Sequence, residues 1–169
     1  MDVGSWFDSS LSAVRVPLFE DVLKFCIDEN IWMNIEIKPV PGVEEETGAC
    51  VAGLTAKYFP TSDSPNIPLF SSFSFESLQA AQLIAPHIPR GYLISCIDDI
   101  SDWKQRMETL QAVSVHVNHK RLERSHIEAI KTAGYGLFCY TVNDVDRSEE
   151  LLSQSVDAFC TDRVDLFKK

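Results

Sequence analysis

The sequence lacks most of what would mark a membrane, secreted or nucleic-acid-binding protein. No apolar run approaches the roughly 20 residues that cross a bilayer, so no stable membrane insertion is expected. Met1–Ser10 carries neither the basic stretch nor the apolar core of a secretory signal, which makes a cytoplasmic location the default expectation. Positive charge is scarce: 15 Lys and Arg stand against 25 Asp and Glu, for a net charge of −10. That balance leaves no basic footprint for nucleic acid or an anionic membrane. The one basic cluster, His119-Lys120-Arg121 with Arg124, reads as a solvated helix start. Five cysteines, Cys26, Cys50, Cys96, Cys139 and Cys160, are an odd number with no CxxC pair. This argues against a disulfide framework and against a thiolate metal site. There is no low-complexity tract and no short-period repeat.

What is present is an ordinary globular composition over 169 residues, 45% hydrophobic and 24% charged, enough for a single domain spanning 1–169. Apolar runs of strand length recur at Ile31–Ile37, Ile67–Phe73, Gly91–Cys96, Val113–Val117, Gly136–Val142 and Val156–Thr161. Helical spacing fills the intervals. Leu18, Val22, Phe25 and Cys26 fall at i, i+4, i+7 and i+8, and Trp103, Met107 and Leu110 repeat the pattern later. Ser74 and Asp144 stand where N-caps belong, and Gly134 where a helix-ending glycine belongs. Strand-then-helix cadence predicts a parallel sheet, either open and doubly wound or closed as a barrel.

Two features favour the barrel. No Gly-rich turn follows a strand, so the dinucleotide-binding version of the open sheet lacks its fingerprint. Several strands also turn polar on one face: Asn34, Glu36 and Lys38 in one, Ser114, His116 and Asn118 in another. A barrel tolerates this near its mouth, where catalytic groups collect at the strand C-termini. Six strands where a barrel needs eight predict an incomplete (β/α)8 TIM barrel, about six of eight βα units, lacking the first two strands.

Asn34-Ile-Glu-Ile-Lys-Pro39 is the segment richest in chemistry. Glu36 and Lys38, two residues apart, would sit side by side at the mouth, one offering oxygen to a hard divalent cation, the other neutralising a phosphate oxygen. A solvated, ion-paired strand face is the other reading, and the hexapeptide alone leaves both open.

In wider context Asn34–Pro39 resembles the "NIEIKP" strand of glycerophosphodiester phosphodiesterases. Asp2-Val-Gly-Ser-Trp-Phe7 is similar to that family's "DAGSWF" segment, and Pro68–Phe73 to its "SSF" strand. Ala85–Gly91, Tyr140-Thr-Val-Asn143 and Val156–Asp162 resemble further landmarks in the same order, closest to the cytosolic bacterial branch.

The resemblance implies hydrolysis of a glycerophosphodiester to glycerol 3-phosphate and an alcohol, with a bound Mg2+ or Ca2+ and a histidine pair as base and acid. Residue by residue, it carries over Glu36 as a metal ligand, Lys38 as a phosphate-binding cation and Tyr140 as a cleft aromatic. Ser72 and Asn143 are placed at the cleft rim. The family's His-Arg-Gly, Glu-x-Asp and second catalytic histidine all stand upstream of the segment that Asp2–Phe7 resembles. The expectation is therefore an N-terminally truncated member with no catalytic acid or base and an incomplete metal site. Its usual Asp-Arg-Pro also reads Asp162-Arg163-Val164. A non-catalytic remnant that binds a partner is the alternative. His116 and His119 are not at the acid and base positions, and His116 reads as a hydrogen-bonded barrel residue. Asp98, Asp99 and Asp102 read as an acidic helix start, and Glu44–Glu46 as a solvated run in the loop after the first strand. Unpaired edges at the Asn34 and Asp157 strands predict homo-oligomerisation.

Overall fold

A computed structural model describes residues 1–167; Lys168 and Lys169, the last two of the expected domain, lie outside the described residues. The single sheet contains β1 (Asn34–Glu36), β2 (Leu69–Ser72), β3 (Arg90–Ile94), β4 (Ser114–Asn118), β5 (Gly136–Tyr140) and β6 (Ala158–Phe159). Every neighbouring pair is parallel and the strands lie in chain order. Helix α1 (Phe19–Asp28) precedes β1. The crossovers carry α2 (Glu44–Tyr58), α3 (Phe75–Ile84), α4 (Trp103–Thr109), α5 (Arg124–Thr132) and α6 (Val145–Ser153). Each of the six expected runs overlaps a strand, with β3 beginning one residue before its run and β4 ending one residue after its run.

Strand order never reverses, as it must at the switch point of an open doubly wound sheet. The sheet also curls. Phe73, just past β2, meets Tyr140 at the end of β5 with ring centroids 5.8 Å apart. In a flat sheet those strands would be about 14 Å apart. Tyr140 Oη reaches across β4 to donate to the Ile94 carbonyl at 3.0 Å. The result is an incomplete barrel with helices on its convex side.

The convex face holds the apolar core. Ile35, Phe70, Tyr92, Ile94, Val115, Val117, Leu137 and Cys139 are buried between sheet and helices. Tight packing on the concave side comes from β3 and β4. A Cβ at Gly91 would lie 2.3 Å from His116 Nε2, so glycine there is what lets the imidazole lie across the neighbouring strand. Arg90 is buried with its guanidinium satisfied by carbonyls: Nε donates to Leu110 at 2.7 Å and Nη1 to Ile88 at 2.7 Å and Pro86 at 3.2 Å. Burial holds its pKa below the usual guanidinium value, while these bonds offset the loss of water.

The expected punctuation is present. Ser74 Oγ accepts from Ser77 N at 3.0 Å, Asp144 Oδ1 accepts from Arg147 N at 2.8 Å, and Gly134 follows α5 with φ +85°. Three expectations need correction. Glu44–Glu46 form the first turn of α2, not a loop, because three carboxylates suit the positive end of the helix dipole. Asp98 and Asp99 lie in a short 3-10 turn, Ile97–Asp99, while Asp102 sits at the N-cap position of α4 without a capping bond and pairs with Arg106 at 3.1 Å. Finally, α1 packs inward through Phe19, Leu23 and Cys26, and the stripe Leu18, Val22, Phe25 points outward. Among the described residues no strand pairs with β1 on the side away from β2.

Strand β1 is paired on one side only. Met33 O accepts Leu69 N and Ile37 N donates to Ser71 O, so the alternation of a parallel ladder turns the amides of Asn34 and Glu36 away from β2. Such edges recruit other strands. The isolated chain should therefore self-associate, read as a sedimentation coefficient that rises with concentration; a monomeric species with one cooperative thermal transition would refute this. Gly91→Ala should lower unfolding stability by about 1–3 kcal/mol in a urea titration, because His116 cannot yield without losing its bond to Ser114.

Candidate functional site

Period two in β1 puts Ile35 under the helices and leaves Asn34 and Glu36 on the concave side. Lys38 follows two residues past the strand, and its Nζ lies 3.4 Å from Glu36 Oε1. With the Lys38 side chain 76% exposed, this pair adds little stability and leaves the ammonium free to meet a ligand. Lys38, Ser72, Phe73, Glu44 and Glu76 line a groove of about 480 Å³ at the C-terminal ends of β1 and β2. A second cavity of about 390 Å³ sits between α5 and α6, in the helical layer. Its Arg124 and Lys131 are already paired with Glu128 and Asp157.

The remaining sequence-nominated residues divide. Ser72 is buried; its Oγ donates to Ile37 O at 2.6 Å and is approached by Ser74 N at 3.0 Å. The hydroxyl thus ties the end of β1 to the turn into α3, so it shapes the groove from beneath. Tyr140 is half-buried, edge-on to Phe73, with its hydroxyl bound to Ile94 O. Burial raises its pKa; a bond with Ser95 opposes the rise, the charge of Glu36 adds to it and that of Arg121 subtracts. The Phe73–Tyr140 contact brings the ends of β2 and β5 to one mouth. Asn143 belongs to a separate network: Oδ1 accepts from Asp162 N at 2.8 Å and Thr161 Oγ1 at 3.0 Å, and Nδ2 donates to Asp162 Oδ2 at 3.1 Å. It braces the loop after β5 against the loop after β6.

Two residues that the sequence reading did not nominate also shape the mouth. Phe73, 51% exposed, forms a wall with Tyr140. Arg121 makes a two-pronged bond to Asp99 at 2.5 and 2.8 Å. An exposed aromatic just past a buried strand was a readable signal for the first. The second was hidden, because its partner lies 22 residues away across a strand.

The histidines are poorly placed for proton transfer. His116 is 3% exposed, stacked on Phe138 at 4.6 Å, with Nε2 2.9 Å from Ser114 Oγ and Nδ1 unpartnered. Burial lowers its pKa to about 4, so it is neutral across the physiological range. His119 is also held low, by burial first and then by Arg147 and Lys120. Cys96, Asp98 and His126 bring one potential ligand atom each within 4.8 Å of one another. Both nitrogens of His126 are already engaged: Nδ1 accepts Glu123 N at 3.2 Å, closing a capping box at the start of α5, and Nε2 meets Asp98 Oδ2 at 3.0 Å. The cluster is accounted for as a helix cap.

A carboxylate–ammonium pair at the C-terminal mouth of a parallel barrel is the setting in which comparison with known proteins becomes informative. The sequence profile described as the Glycerophosphoryl diester phosphodiesterase family matches residues 1–166. The chain belongs to this family. It is 28% identical to the glycerophosphodiester phosphodiesterase of Bacillus subtilis (strain 168) over 182 residues, covering 100% of this chain and 61% of the relative. It is 26% identical to that of Caldanaerobacter subterraneus subsp. tengcongensis over 166 residues, covering 96% and 64%. A solved structure of an Oleispira antarctica phosphodiesterase in complex with the product sn-glycerol-3-phosphate superposes with a TM-score of 0.81 at 32% identity, covering 95% of this chain and 63% of that one. The chain thus spans less than two thirds of the length of these relatives.

Glycerophosphoryl diester phosphodiesterases are generally dependent on a divalent metal. Mg2+ and Ca2+ take six or more oxygens. At this mouth Glu36 is the carboxylate on the concave face of β1, and it already has Lys38 as a partner. The donor set present does not by itself fit such an ion.

The His116 shift has a pH signature. Its folded pKa is depressed below the unfolded value, so the unfolded chain takes up the proton first as pH falls. Stability should be full above about pH 6.5, fall between about 6.5 and 4, and level off below, by about 3 kcal/mol in all. Urea midpoints measured against pH should show this slope in the native chain. The slope should be shallower in His116→Gln, where His119 still contributes; equal slopes in the two would refute the assignment.

Proposed function

We propose that this chain forms the later part of a barrel that hydrolyses glycerophosphodiesters, small molecules, to glycerol 3-phosphate and an alcohol. The observation that carries the reading is Glu36 and Lys38 held together on the concave side of β1, in a chain of this family. The product in the Oleispira relative supports the substrate class. In this reading Lys38 binds the phosphoryl oxygens by charge, and Glu36 contributes one oxygen toward Mg2+ or Ca2+. Phe73 and Tyr140 flank the glycerol or the alcohol, while Ser72 and Asn143 hold the loops that shape the rim. Water supplies the elements added across the P–O bond. Free thiols throughout the described chain support a cytoplasmic location.

Hydrolysis also needs a base and an acid near neutral pH. His116 is walled in and neutral, and His119 is depressed as well. We infer that these 169 residues alone do not turn substrate over. Incubation with glycerophosphocholine and either Mg2+ or Ca2+, followed by enzymatic detection of glycerol 3-phosphate, should give no rate above background. Turnover would refute this inference. In a barrel completed by the leading third of a relative, Lys38→Met should lower kcat/KM by about 10²–10³-fold, by analogy with loss of one preorganised charge-stabilising group. An unchanged rate would remove Lys38 from the site.

A second reading, a non-catalytic module that engages a partner through the open side of the barrel, is favoured by the outward apolar stripe of α1. Partner binding by the isolated chain that needs no substrate, together with a completed barrel that remains inactive, would select it.

A further inference from the structure

Ser71 and Ser72 stand side by side at the end of β2 and differ in what they bind. Ser72 Oγ has two partners, Ile37 O and Ser74 N. Ser71 is 0% exposed, and its Oγ has no hydrogen-bond partner among the described residues. A buried hydroxyl without a partner costs free energy, and such a group points to a partner that arrives in another state of the molecule.

The sheet decides which group can arrive. Phe70 packs in the core, so alternation turns Ser71 to the concave side. The register sets Ser71 beside Glu36 on one flank and beside Gly91 on the other. Gly91 has no side chain to offer, and the His116 imidazole that fills the space over it is held by Phe138 and Ser114. Glu36 lies one strand away, about 4.8 Å, a gap that a glutamate side chain spans. Among the described residues its carboxylate is paired with Lys38 alone, and the lysine is largely in water. Exposed pairs of this kind are worth at most about fivefold in an equilibrium constant. Of the groups flanking Ser71, the Glu36 carboxylate is the one free to move.

We propose that Ser71 is a positioning residue for Glu36: when Lys38 turns to a phosphoryl group, the carboxylate swings inward and accepts a hydrogen bond from the Ser71 hydroxyl. An arriving phosphate acts twice, drawing the ammonium away from Glu36 and repelling the carboxylate. The inward bond is charge-assisted, which offsets part of the cost of taking the carboxylate out of water. With no phosphate the Lys38 pair prevails, so the two positions differ by no more than that pair is worth. The hydroxyl takes one carboxylate oxygen and leaves the other toward the cleft. Ser71 thereby fixes Glu36 in one place and frees Lys38 for the anion. Phosphate binding by Lys38 is the proposed function on which this rests; the Ser71 contact alone also forms whenever Lys38 is removed.

Carboxyl 13C NMR of the glutamate-labelled chain, with the Glu36 signal assigned by its loss in Glu36→Gln, reads the position of the carboxylate. Glycerol 3-phosphate should move that signal in the native chain, and by less than half as much in Ser71→Ala, which should bind about threefold more weakly. Lys38→Met should show the moved signal without ligand. In urea titrations Ser71→Ala should change the folding equilibrium constant of the native chain by less than about twofold. The same substitution should lower that of Lys38→Met by about threefold, and adding Glu36→Ala to Lys38→Met should abolish the loss. Equal effects of Ser71→Ala in the native and Lys38→Met chains, or a loss that survives Glu36→Ala, would overturn the proposal. A Glu36 signal indifferent to Ser71 in Lys38→Met would overturn it as well. Should glycerol 3-phosphate fail to bind while the Ser71-dependent loss appears in Lys38→Met, the contact is supported and the phosphoryl reading of Lys38 fails.

Discussion

Everything at the mouth of this sheet depends on β1, three residues held by hydrogen bonds on one side only. Its alternation assigns Ile35 to the core and Glu36 to the cleft, and its register on β2 brings Lys38 beside the Ser72–Phe73 turn. A slip of one residue would exchange those faces, placing a carboxylate under the helices and an isoleucine at the mouth. What prevents the slip is local: the Ser72 hydroxyl on Ile37 O, and Ile35 itself in the core. The charged pair therefore depends on an apolar neighbour and a buried serine for its position.

Along the barrel axis the character of the interior changes. Toward the floor His116 is enclosed by Ser114, Phe138 and the space opened at Gly91. Charge is unwelcome there, which is why His116 is pushed toward neutrality. At the other end Glu36, Lys38 and Arg121 keep much of their contact with water. That rim is wet and of mixed charge, while the dry floor supplies rigidity.

The barrel class was legible because two periods alternate cleanly along the chain, and strand C-terminal ends collect polar residues on one face. The caps at Ser74 and Asp144 and the glycine after α5 were legible because they obey local rules that need no tertiary partner. The errors were tertiary in origin. Leu18, Val22 and Phe25 satisfy the helical spacing as well as Phe19, Leu23 and Cys26 do, and only packing against α2 chooses between the stripes. Glu44–Glu46 looked like solvated loop because charge runs are usually solvated, and they are, but on the first turn of a helix. At the site, Glu36 and Lys38 came from strand periodicity. The contact of Phe73 with Tyr140 required knowing that the sheet curls, and Arg121 that the loops after β3 and β4 meet.

By itself the sequence determined the order and type of the elements, the faces of β1, and the pairing of carboxylate with ammonium, since all follow from spacing along one chain. Tertiary structure alone decided that Tyr140 of β5 closes over β3 and shares a mouth with Glu36, that His116 is neutral, and that Asn143 braces a loop. It also decided which stripe of α1 stays uncovered. Burial, field and fit are properties of neighbours distant in sequence, and a linear pattern carries no information about which neighbours those are.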